Sequence, residues 1–129
     1  MKKIIRKNFK NSVFERDNYT CQICGYGPFP LADDIFDAHH ITDRSEMPNG
    51  GYVKENGITV CKVPKGLIVS DGEYGLPNFT IINDSCHLKC EKYHLSGGLE
   101  WEEGLHPDDL YKKIGSTKEE AIEKSKKIN

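Results

Sequence analysis

At 129 residues the chain is long enough for one compact domain with some decoration and too short for two. Hydrophobic residues make up 36% and charged ones 29%, and no apolar run approaches the length needed to span a bilayer. A formal charge of -2 excludes nucleic-acid binding through net charge alone, so any such binding must use local patches. The termini offer two: Lys2, Lys3, Arg6, Lys7 and Lys10 at one end, Lys118, Lys124, Lys126 and Lys127 at the other.

The first seven residues carry the charge of a secretory leader but lack the apolar stretch that should follow, which makes the cytoplasm the expected compartment. Residues 8–18 are expected to form a short helix with Phe9, Val13 and Phe14 at helical spacing, broken by Asp17-Asn18. Cys21-Gln22-Ile23-Cys24-Gly25 reads as a metal knuckle, the glycine letting backbone amides turn towards sulfur. Loop follows through Gly27-Pro28 and Pro30, then a strand over 35–41, a loop through Pro48-Asn49-Gly50-Gly51, and a second strand over 58–61.

In residues 62–85 two apolar runs, 66–69 and 79–82, flank Ser70-Asp71-Gly72 and Gly75-Leu76-Pro77-Asn78, the pattern of an inserted β-hairpin. Residues 86–95 read as a helix ended by Gly97-Gly98. Pro107 opens another that stops near Gly115, and Ser116-Thr117-Lys118-Glu119 offers a capping box for a last polar helix. Trp101, among acidic residues, is expected to pack on the core, and His106 to be a surface or capping residue. The sum is a small α+β chain: residues 1–97 carry the motifs, and 98–129 form a helical extension packed on or trailing from them.

Five cysteines, an odd number, do not close a disulfide framework. In a reducing compartment paired cysteines serve metal binding or redox chemistry. A redox Cys21-x-x-Cys24 pair would open a helix inside a βαβ unit, and that context is missing. A tetrahedral zinc site draws Cys21, Cys24 and Cys61 with either Cys86 or Cys90. Cys86 is preferred because it sits where the chain enters a helix; Cys90 is the substitute or a plain buried thiol.

Cys21-x-x-Cys24, His39-His40-Ile41, Asn56-Gly57-Ile58-Thr59-Val60-Cys61 and Cys86-His87 follow in the order typical of zinc-containing HNH endonucleases. The chain resembles that family over residues 10–94, with Val13-Phe14-Glu15-Arg16-Asp17 and Tyr19-Thr20 similar to its lead-in. In the family's common pattern the second cysteine pair is close-spaced, whereas here residues 62–85 separate its members. The resemblance implies a ββα-metal (His-Me finger) core gripping one divalent cation such as Mg²⁺, beside a structural zinc. It also implies DNA as the substrate. In that pattern His40 matches the general base, His39 and His87 the ligands of the catalytic cation, and Asn56 the residue that fixes the connecting loop.

The chemistry of the side chains agrees. A neutral imidazole accepts a proton from water near pH 7, and a cation held beside it neutralises charge on a phosphodiester. Adjacent strand residues point to opposite faces, so His39 and His40 share a site only where the strand ends, and Thr42-Asp43-Arg44-Ser45 supplies an end. Asp37, two residues before His39, is a reserve ligand. His87, Glu91 and His94 share a helix face, which places Glu91 as a further ligand or, as the simpler reading, leaves Glu91 and His94 on a polar face. Arg44, Lys7 and Lys10 are candidate phosphate contacts. The alternative to a nuclease is a non-catalytic zinc module that binds nucleic acid, or a protein partner through the hairpin or C-terminal helices. A disulfide oxidoreductase is the third reading.

Overall fold

Phe9, Val13 and Phe14 form the buried stripe of the first helix, α1 (Lys2–Arg16). The helix starts well before the expected residue 8. The basic residues ahead of Phe9 include no helix breaker, and they extend the helix without needing burial. It ends where Asn18 and Tyr19 take φ values of 54° and 52°, left-handed conformations that turn the chain into the knuckle. The computed structural model describes residues 2–29, 35–62, 65–71, 77–83 and 85–128, with only the backbone described at 2, 3, 65–71 and 77–83.

Strands β1 (Phe36–His40) and β2 (Gly57–Cys61) pair antiparallel, with Phe36 opposite Cys61 and His40 opposite Gly57. Every residue of β2 is buried, because α1 packs on the pair and a later helix packs on it too. Gly57 makes the α1 contact possible. A Cβ there would lie 2.5 Å from Val13 Cγ2 and 2.7 Å from Phe9 Cζ, while its φ of -128° is one any residue adopts. Polar groups fasten the same seam. Asp17, expected only as a helix breaker, is buried; its carboxylate pairs with Arg16 at 2.8 Å and accepts the Thr59 amide at 2.9 Å. Arg16 also donates to the carbonyls of Lys54 and Gly57.

Between β2 and the next helix, β3 (Lys65–Asp71) and β4 (Pro77–Asn83) form a separate antiparallel pair, with Asp71 opposite Pro77. The turn expected around Gly72 and Gly75 lies outside the described residues.

Helix α2 (Cys86–Leu95) is capped by Ser85, whose hydroxyl accepts the Leu88 amide at 3.1 Å, and Gly97 and Gly98 at positive φ follow it. Helix α3 (Pro107–Lys113) is capped by His106, whose Nδ1 accepts the Asp108 amide at 3.1 Å. Helix α4 (Lys118–Lys126) is capped by Thr117 and not Ser116: the Thr117 hydroxyl accepts the Glu120 amide at 3.1 Å, one residue on from the expected box. Leu110, Tyr111 and Ala121 join Phe9, Val13, Phe36, Ile41, Ile58 and Val60 in one buried core. Trp101 does not pack into it. Its ring is 45% exposed and lies against Tyr93 and His106, with centroids 6.0 Å and 4.7 Å away. The chain is thus a small α+β fold, and no helix among the described residues is long and apolar enough to cross a membrane.

Candidate functional site

Two ligand clusters flank the β1–β2 pair. The first takes one sulfur each from Cys21, Cys24, Cys61 and Cys86, all within 4.8 Å of one another. The knuckle supplies the first two, turned by the Gly25 amide donating to the Cys21 carbonyl at 2.9 Å. The end of β2 supplies Cys61 and the start of α2 supplies Cys86. Cys90, the alternative fourth ligand, is buried one turn further on and outside the cluster.

The sulfurs already behave as a set. The Cys86 thiol, with the amides of Cys24, Ile23 and Cys61, brings Cys21 down to about 4 against the opposing cost of burial. Burial and the neighbouring Cys21 thiolate push Cys61 up to about 12, and the hydrogen bond to Cys21 together with burial pushes Cys86 up as well. Four cysteine sulfurs gathered this closely fit a metal such as zinc in the structural, fully protein-ligated form.

The second cluster is His39, His87 and Glu91, whose ligand atoms also lie within 4.8 Å of one another. A single Glu91 oxygen, Oε1, lies 3.0 Å from His39 Nδ1 and 3.2 Å from His87 Nε2. Those two histidines hold the Glu91 carboxyl well below the usual carboxylate range. Burial pushes His39 down, and its Nε2 is buried without a partner among the described residues. The Glu91 hydrogen bond pushes His87 up, with Asp37 adding to it from 3.6 Å.

His40 lies on the other side of the strand, as the alternation of side chains requires. Its ring stacks on Phe9 at 4.5 Å and meets the edge of Tyr52 at 4.9 Å. Burial, then the positive charge of Arg44, pushes it down to about 4. The two histidines nonetheless share a site because β1 stops at His40. A cleft of about 610 Å³ opens at the strand end and is lined by both, together with Asp37, His87, Glu91 and His94.

Glu91 and His94 are partly exposed and both line the cleft, and His94 Nε2 donates to the His40 carbonyl at 3.1 Å. Arg6, Lys7, Lys10 and Arg44 also line this cleft. All three predicted phosphate contacts are here, and Arg6 joins them without a sequence signal beyond its charge. Tyr52 was not expected; its hydroxyl accepts from Arg44 at 3.1 Å and is also reached by Arg6.

Asn56 is not in the cleft. It is fully buried behind it, donating to the carbonyls of Thr42 at 3.1 Å and Gly51 at 3.2 Å and accepting the Thr42 amide at 2.9 Å. It closes the loop between β1 and β2. A hydroxyl from the C-terminal segment, that of Tyr111, also reaches it, and no spacing rule connects the two positions. Chemically the cleft gathers two imidazoles and a carboxylate that could hold a metal ion, the His40 imidazole, and the side chains of Arg6, Lys7, Lys10 and Arg44. Comparison with known proteins finds no match: no family model, no curated protein and no solved structure aligns with this chain.

Proposed function

We propose that the chain is a metal-dependent HNH endonuclease, with β1, β2 and α2 as its ββα-metal core, hydrolysing phosphodiester bonds in DNA. The observation that carries this reading is the convergence of His39, His87 and Glu91 within 4.8 Å, on the same cleft as His40 and four basic side chains. Two imidazoles and a carboxylate suit a borderline divalent cation such as Mn²⁺ better than Mg²⁺, which prefers oxygen ligands. When bound, such a cation supplies charge neutralisation for the phosphate and the leaving 3′-oxygen.

The chain's own residues do the rest. His40 is neutral at pH 7 because burial and Arg44 hold its imidazolium disfavoured, so it accepts the proton of the attacking water. Arg6, Lys7, Lys10 and Arg44 bind the phosphate backbone. His94 holds the His40 carbonyl, and Asn56 holds the loop that follows. Cys21, Cys24, Cys61 and Cys86 would hold a zinc that joins the knuckle, β2 and α2, and so would fix the helix that carries His87 and Glu91.

Plasmid cleavage by purified protein tests the reading, with Mg²⁺, Mn²⁺ or EDTA and beside His40→Ala of equal zinc content. Cation-dependent cutting by the parent and not by the variant is expected. No cutting of DNA or RNA by folded, zinc-loaded protein under any cation would replace it with the non-catalytic binding module.

A further inference from the structure

The orientation of His40 depends on the backbone that follows it: among the described residues its Nε2 has no hydrogen-bond partner, and its ring is held by the stacked face of Phe9 and the edge of Tyr52. That backbone is tied to Asn56. The Asn56 carbonyl accepts the Ile41 amide at 2.9 Å, and its side chain brackets Thr42 from both sides. Asn56 in turn is tied to α3. The Tyr111 hydroxyl donates to Asn56 Oδ1 at 2.7 Å, and the Thr42 hydroxyl lies 2.6 Å from the same Tyr111 oxygen.

Proton counting orders this chain. Tyr111 has one hydroxyl proton and gives it to Asn56, so Thr42 must donate to Tyr111. The Asn56 amide then accepts two hydrogen bonds at Oδ1 and donates two at Nδ2, and its orientation is fixed. Ile41, Thr42, Asn56 and Tyr111 are all buried, so water does not replace a lost member. The same C-terminal segment braces the loop twice more. Ser116 Oγ donates to the Glu55 carbonyl at 3.1 Å, and Asn49 Nδ2 donates to the Ser125 carbonyl at 2.9 Å.

We propose that Tyr111 is a positioning residue for His40, acting through Asn56 and Thr42, and that α3 and α4 hold the loop of the active site in addition to covering the core. The catalytic part of this inference rests on the nuclease reading; the loop-holding part does not.

Tyr111→Phe keeps the ring and its packing and removes only the hydroxyl. Parent, Tyr111→Phe and Thr42→Val are compared for kcat and KM on DNA, zinc content, Mn²⁺ affinity and hydrogen exchange at the Ile41 and Thr42 amides. Both variants should lose about 10- to 100-fold in kcat, with KM and Mn²⁺ affinity nearly unchanged, as expected for a misplaced reacting group and not for a lost binding contact. Exchange at Ile41 and Thr42 should quicken while β2 stays protected. A cutting parent with unchanged kcat in folded, zinc-loaded Tyr111→Phe overturns the positioning role alone. A parent that cuts nothing overturns the nuclease reading and the catalytic part with it; unchanged exchange at Ile41 and Thr42 then overturns the loop-holding part too.

Discussion

His40 sits between an aromatic face and an aromatic edge, and this placement has a measurable consequence for pH. A base whose conjugate acid is held at about 4 by burial and Arg44 stays unprotonated where an ordinary histidine, at 6.5, would be charged. If the chain is the proposed nuclease with His40 as its base, the acid limb of kcat at saturating cation should fall well below 6.5, and Arg44→Ala, which removes a positive neighbour, should move it upward. His87 behaves oppositely. Its proton is held more tightly through Glu91, and that proton competes with the cation, so at limiting cation the rate should fall as pH drops through a value above the ordinary one. Rates at two Mn²⁺ concentrations across pH separate the two limbs. Asn56 supports a stability prediction. Asn56→Asp sets a carboxylate against the carbonyls of Thr42 and Gly51 in a fully buried site and should cost about 3 kcal/mol or more, read from urea unfolding of zinc-loaded protein.

Among the elements, the seam between α1 and β2 is tight, because a glycine stands where a side chain would meet Val13 and Phe9. Gly57→Ala should cost about 1–3 kcal/mol as α1 is pushed outward. Since the Phe9 ring also supports His40, activity of the folded variant should fall further than stability predicts. Measuring kcat at a temperature where the variant is fully folded distinguishes the two effects. The elements also show what was legible in the sequence. Cys21 and Cys24, His39 and His40, and Cys86 with His87 are close along the chain, and adjacency alone places each pair at a strand end, a turn or a helix start. Glu91 and His94 were legible as one helix face, but periodicity does not say whether a polar face meets water or a cleft. Tyr111, Arg6 and Asp17 were not legible as partners of the site or of β2. Their contacts cross long stretches of chain and depend on how α1 and α3 pack, and hydroxyl, guanidinium and carboxylate groups carry no pattern that announces a distant partner. Trp101 was misread for a related reason: large apolar area favours burial on average but does not say which aromatic neighbours are at hand.

Taken whole, the molecule has one modest core and four sulfurs that join three of its elements, so the metal is expected to be part of the folding equilibrium. Structural zinc bound this way contributes of order 10 kcal/mol, and a strong chelator should unfold the protein cooperatively, followed by circular dichroism. Binding must also displace protons. Cys61 and Cys86 are pushed up and each should release one at pH 7, whereas Cys21, at about 4, has none to give. Calorimetry in buffers of differing ionisation enthalpy should return about two protons or more. Cys61 and Cys86 also bracket the β3–β4 insertion, so a metal held by the four sulfurs would close that excursion at its base. Continuity of the backbone across the excursion is then dispensable. A chain nicked by a protease between β3 and β4 should still travel as one particle in native sizing, its two fragments sharing a single ion and a common core, and should separate only once the ion is stripped.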